Sequence, residues 1–171
     1  TVDEGVTSIP KHAFRNMTSL ETINLPESLT SIKKYAFEGC SSLKGIELPG
    51  ALETIGSCTF SGCSGIKEIT IPETVSTIYI YTFSGCTGLT SIPENLFSGV
   101  SGSANYMFAY TFYNCTSLTS IPENLFAGVS GSATNMFRST FNGCTSLESI
   151  PENLFAGVSG SANYMFNGTF W

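Results

Sequence analysis

With 171 residues, 42% of them hydrophobic and 12% aromatic, the chain can bury a core, which excludes a disordered polymer. A net charge of −6 withholds the basic face that displaces counterions from phosphates, so nucleic acid is excluded as a partner. No apolar run reaches the roughly 18 residues of a bilayer span, so this segment is expected not to insert into a membrane.

Taken in chain order, phenylalanine sets the period. Phe14, Phe37, Phe60 and Phe83 step by 23, and Phe112, Phe141 and Phe170 continue in steps of 29. Met17 and then Cys40, Cys63, Cys86, Cys115 and Cys144 follow three residues after a Phe. Leu20, Leu43, Ile66, Leu89, Leu118 and Leu147 form another column, and Ile23, Ile46, Ile69, Ile92, Ile121 and Ile150 a fourth. A unit this short cannot bury its own apolar edge and must stack on its neighbours, so the columns specify a solenoid. The expected architecture is one solenoid over residues 1–171, with 23-residue repeats in 1–88 and 29-residue repeats in 89–171.

In each 23-residue unit the segment typified by Leu43–Leu48 predicts a short parallel strand, ended by Pro49, which has no N–H to give a ladder. In the longer units the predicted strand shrinks to Leu89–Ile92, Leu118–Ile121 and Leu147–Ile150, each followed by proline. These units carry a Val-Ser-Gly-Ser-Ala stretch that the shorter ones lack, and each is six residues longer. After it, Ala104, Met107, Phe108, Phe112 and Cys115 fall at steps of 3, 1, 4 and 3, which predicts a helix of two to three turns on the opposite side. The first four units predict an irregular or short helical return there. The fold class expected is therefore an α/β repeat solenoid.

The motif L-x-x-I-x-L-P-x-x-L-x-x-I-x-x-x-A-F-x-G-C-x-x-L, cleanest from Leu20 to Leu43, resembles the BspA-type leucine-rich repeats, also described from Treponema surface proteins. Met17 in place of the first Cys, and the missing Leu-Pro step in the 29-residue units, depart from that pattern. The resemblance implies a cell-surface or extracellular protein that binds host or neighbouring-cell surface proteins as adhesins do.

Val2-Asp3-Glu4-Gly5-Val6 aligns with Leu25–Leu29, so the chain begins inside a repeat, and it stops at Trp171, one residue past the Phe column. A segment of a longer array is expected. Were the ends open in solution, Val2, Val6, Phe170 and Trp171 would be the end-stacking residues, because a head-to-tail contact that does not close builds a filament.

The residues offer little to catalysis. One His (His12) and one Asp (Asp3) stand nine residues apart, a poor basis for a nucleophilic relay, so an enzyme is not expected. The cysteines lack C-x-x-C metal spacing. Stacked copies about 4.8 Å apart also hold Cβ atoms too far apart for disulfides. They read as buried free thiols; Cys58, outside the column, is the candidate for a reactive one, against the favoured reading of an exposed structural thiol. Glu27, Glu73, Glu94, Glu123 and Glu152 follow prolines one per unit and read as a solvated row. No metal and no cofactor are expected.

Tyr35, Tyr79, Tyr81, Tyr106, Tyr110, Tyr113 and Tyr164 stand beside the core columns as the candidate protein-binding residues, since such rings among small polar neighbours are enriched at interfaces. The alternative, and the favoured one, is that they cover the solenoid wall with the ring buried and the hydroxyl in water. The expected function is a non-enzymatic protein-protein interaction module. The alternative is a self-assembling structural subunit stacking end to end into filaments or a surface layer, whose partner is itself.

Overall fold

The structure, a computed structural model, describes residues 1–171. Three two-residue strands, β1 (Ser8–Ile9), β2 (Ser31–Ile32) and β3 (Thr54–Ile55), form a parallel sheet in the order β1-β2-β3. Ser8, Ser31 and Thr54 stand opposite one another, as do Ile9, Ile32 and Ile55, so successive units stack with no slip. The three Ile side chains are buried while Ser31 Oγ bonds Ser8 Oγ at 2.8 Å.

These strands lie one turn later in the unit than expected. Around Leu43–Leu48 neighbouring copies share one backbone bond, Lys44 N–H to the Glu21 carbonyl (3.1 Å), whereas the Ser-Ile step has three, from Thr30 and Ser31 to Thr7 and from Lys33 to Ile9. The expected strands at Leu89–Ile92, Leu118–Ile121 and Leu147–Ile150 likewise hold one bond per interface, donated by Thr90, Thr119 and Glu148. A strand in every repeat is not what forms. The longer units are tied instead by isolated parallel bridges, Gly102 to Val129 and Gly131 to Val158. Here the backbones approach so closely that a Cβ on Gly128 or Gly157 would lie 2.5 Å from the carbonyl oxygen of Val100 or Val129.

The predicted helix is absent, and the chain forms no helix elsewhere. From Tyr106 to Cys115 the N–H groups alternate. Those of Met107, Ala109, Thr111, Tyr113 and Cys115 close turns onto the carbonyl three residues back, while those of Tyr106, Phe108, Tyr110, Phe112 and Asn114 reach the next unit. Every fourth residue is left-handed: Tyr106, Tyr110 and Asn114 have φ of 62°, 57° and 57°. L residues visit that region singly and cannot continue a right-handed helix through it. The stacked copies, each offering a carbonyl at every second position, stabilise this ribbon of turns over the helix.

The side chains between the left-handed positions fill the interior. Phe14, Phe37, Phe60, Phe83, Phe112, Phe141 and Phe170 stack with ring centres 5.1–5.8 Å apart. The longer units add two columns, Phe97-Phe126-Phe155 and Phe108-Phe137-Phe166, which meet at steep angles, as in the 62° contact of Phe126 with Phe137. All six cysteines are free thiols. The five in the column donate to the Phe carbonyl of the preceding unit, Cys63 to Phe37 at 3.1 Å and Cys144 to Phe112 at 3.1 Å among them. Each buried thiol thus finds an acceptor for its own S–H, as a second donor to a carbonyl that already takes the N–H of the residue three positions on. Burial pushes the Cys63 and Cys144 thiols up to about 12, which keeps them protonated and able to donate.

Candidate functional site

The residue two before each Phe of the long column is left-handed in every unit, from His12 (φ 64°) through Tyr35, Cys58, Tyr81, Tyr110 and Ser139 to Gly168. The adjacent residues turn inward, so this position carries its side chain along the outer wall, one per unit. Stacking copies bring these side chains ring to ring. His12 lies flat on Tyr35 at 5.0 Å, and Tyr81 on Tyr110 at 4.4 Å.

Two aromatic groups result, separated by Cys58. Around Tyr35, the charged groups of Lys11, Arg15 and Lys34 lie 5.8, 5.7 and 5.9 Å from the ring centre, the range of cation–π attraction. Arg15 is also ion-paired with Glu38. Desolvation, with Lys11 and Arg15 nearby, lowers the His12 pKa, so the imidazole is neutral at pH 7. The second group joins Tyr81 and Tyr110 to Tyr113, whose ring meets Tyr110 edge-on at 5.7 Å, and to Arg138, whose guanidinium stands 5.9 Å over Tyr110. Burial, then the neighbouring Tyr110, raises the Tyr81 hydroxyl's pKa.

The seven sequence-selected tyrosines therefore do not make one patch. Tyr35 belongs to the first group and Tyr81, Tyr110 and Tyr113 to the second. Tyr79 and Tyr106 both line a groove between the last 23-residue unit and the first longer one. Tyr164 stands alone and is 67% exposed. Of the end-stacking candidates, Val2 and Val6 are half-buried against the core, Phe170 stacks on Phe141 at 5.4 Å, and Trp171 is exposed. Cys58 is half-buried, and burial, followed by the Glu38 charge, raises its pKa, which makes it a poorer nucleophile than a solvent-exposed thiol.

Arg138 was not singled out by the sequence, yet it is the one cation of residues 68–171 and it lies over Tyr110. A signal existed: a lone Arg one residue before the wall column, 28 residues after Tyr110. No group of three or more His, Cys, Asp or Glu converges as a metal site would require. The post-proline glutamates stay one per unit, with Glu73 accepting from Ser98 and Glu123 from Asn153. A second groove, about 730 Å³, runs along the Ile23-Ile46-Ile69 face and carries Glu27, Glu47 and Glu68 on its rim. These surfaces offer ring faces, a cation and acceptors, which suits recognition and supplies no nucleophile with a base.

The sequence pattern of the BspA type leucine rich repeat region matches in six copies over residues 1–111 and 90–169. The chain belongs to this family. No curated protein matches it. Among solved structures it is similar to the Treponema pallidum leucine rich repeat protein TpLRR, with 29% identity, a TM-score of 0.63, and 90% of this chain and 68% of that one covered. A leucine-rich repeat protein from Eubacterium ventriosum has 22% identity and a TM-score of 0.63, with 95% and 44% covered. A leucine rich cell surface protein from Faecalibacterium prausnitzii has 24% identity and a TM-score of 0.56, with 82% and 32% covered. The fold is thus a leucine-rich-repeat solenoid, and the family points to a protein-interaction scaffold of a generally non-enzymatic kind. No helix is long and apolar enough to cross a membrane.

Proposed function

We propose that this chain is the partner-binding stretch of an adhesin-like protein displayed at a cell surface or secreted. It would hold a host or neighbouring-cell protein against the wall that carries Tyr81, Tyr110 and Tyr113. The observation that carries this reading is the three-ring cluster beneath Arg138, in a region otherwise without cations. Tyr and Arg dominate the few residues that supply most binding energy in protein interfaces. The surface location rests on the family rather than on a feature of this chain, and no catalytic step is assigned.

The column itself supplies a mild test, because Ser139 occupies the same left-handed position as Tyr81 and Tyr110. The variant Tyr81→Ser/Tyr110→Ser should keep the fold. Binding of the purified chain to a panel of purified surface proteins, read by biolayer interferometry, is expected to be saturable for at least one member and to weaken about tenfold or more in the variant. Equal binding by both proteins would place the interface elsewhere. Retention of no panel member, together with oligomers that grow with concentration, would replace this reading with self-assembly.

A further inference from the structure

The six residues by which the longer units exceed the shorter ones have a structural counterpart at the junction. In the second and third long units the inserted segment and the residues after it lie on a copy of themselves: Tyr106 N–H bonds the Thr134 carbonyl, Phe108 N–H the Met136 carbonyl, Asn135 N–H the Asn163 carbonyl and Phe137 N–H the Met165 carbonyl. The first long unit has no such copy beneath it. Its equivalent carbonyls, on Asn105 and Met107, accept no hydrogen bond, and the Ser101 N–H, whose equivalents on Ser130 and Ser159 bond the unit below, donates none. The unit below takes a shortcut through Thr77–Ile80 and regains register only where Tyr81 N–H meets the Ala109 carbonyl.

The result is a groove of about 330 Å³ between Thr77–Ile80 and Ala104–Met107. Its surface is what an interior unit covers: Ala133 is 9% exposed and Asn135 4%, whereas Ala104 is exposed and Tyr106 is 43% exposed. Buried Thr111 records the same fault. Its hydroxyl has no partner, while Thr140 and Thr169 donate to the Phe108 and Phe137 carbonyls of the units below.

We propose that this step is a docking site for an uncharged linear peptide segment of about seven residues, which takes the place of the missing insert. The occupant is fixed by continuity with the two unit-to-unit interfaces above it. It must give N–H groups to Asn105 and Met107, accept from Ser101, place a small residue opposite Ala104, and hold φ near +60° opposite Tyr106. Glycine or asparagine meets the last requirement and a β-branched residue does not. The site is separate from the Tyr81-Tyr110 cluster, and its occupancy stands or falls independently of that reading.

The probe is the acetylated and amidated peptide Gly-Ser-Ala-Thr-Asn-Met-Phe, the sequence of residues 131–137, titrated into the full chain and read by fluorescence anisotropy and backbone amide NMR. Saturable binding is expected, with amide shifts confined to 77–80 and 101–107. Replacing the peptide's Asn by Gly should preserve affinity, whereas replacing it by Val should weaken it about tenfold. Methylating the peptide nitrogens of Asn and Phe, which donate in the stacked copies, should abolish it. Ala104→Arg, on an exposed residue of the chain, should block the peptide and leave thermal unfolding unchanged. No binding at millimolar peptide would overturn the proposal. So would affinity indifferent to Val or to N-methylation, which marks only an adherent apolar surface. A dimer of the chain dissolved by Ala104→Arg would assign the groove to a second copy instead.

Discussion

The two halves stack by different means. The first holds all three strands and six of the seven Lys and Arg, and threads a single phenylalanine column through its interior. The second has no strand, yet carries nine of the thirteen phenylalanines, in three columns whose rings meet both flat and edge-on. A backbone ladder fixes register with little side-chain volume. A mesh of rings fixes it by shape, with each aromatic pair contributing about 0.5–1.5 kcal/mol beyond the area it buries. Lengthening the unit replaces the first device by the second.

The sharpest way to break this contrast is to remove one ring from each half. Phe126 touches Phe97, Phe108, Phe137, Phe141 and Phe155, whereas Phe60 meets only the rings of Phe37 and Phe83. Both Phe126→Ala and Phe60→Ala should destabilise by about 3–5 kcal/mol in urea unfolding, the first by more. A smaller loss at Phe126 would mean that the mesh adds nothing to the column.

The thiol column runs through both halves and should answer alike in each. Cys86→Ala removes the second donor to the Phe60 carbonyl, which keeps the Cys63 N–H, and is expected to lower stability by about 0.5–1.5 kcal/mol. Burial raises the pKa of every thiol in the column. A folded pKa above the unfolded one leaves the stabilisation whole below the unfolded value of about 8.5, and it is lost as pH rises through the folded one. Thermal midpoints should therefore fall between pH 9 and the value of about 12 that Cys63 and Cys144 reach. In native protein at pH 8, maleimide should modify Cys58 slowly and the column not at all. Fast labelling of Cys63 would contradict its burial.

The smallest difference lies at the boundary. Thr140→Val removes a bond to the Phe108 carbonyl and should cost about 1 kcal/mol. Thr111→Val removes a hydroxyl that has no partner and should be neutral or stabilising. Equal losses at the two positions would show that the Thr111 hydroxyl is satisfied in solution.

The columns of Phe, Cys, Leu and Ile were legible in the sequence because a stacked array writes each contact once per unit. The ribbon of turns was not, since steps of 3, 1, 4 and 3 fit a helix and a four-residue turn repeat equally well. Gly39, Gly62 and Gly85, all left-handed two residues after a Phe, were the clue. Tyrosine in the sister column concealed it, because bulky residues rarely take that conformation. The strands were misplaced because Leu43–Leu48 alternates as a strand should, while hydrogen bonding gathers at Ser31–Ile32. For the candidate site, the tyrosines could be chosen by their position beside the columns. Their division into groups depended on Cys58 interrupting one column, and on Arg138 reaching a ring in the unit below.

The thiol bonds span 26 residues in the first half and 32 in the second, one unit plus three in either case. Every such contact is therefore indifferent to how many copies precede it. Recombination between copies that adds or deletes a whole unit leaves each thiol facing a phenylalanine carbonyl, so the array can change length without passing through a misfolded intermediate. A change between unit lengths is different: the one boundary here strands the Thr111 hydroxyl and opens a step in the wall. Growth within either half is thus structurally silent, and a second change of period would leave a mark on the protein's surface.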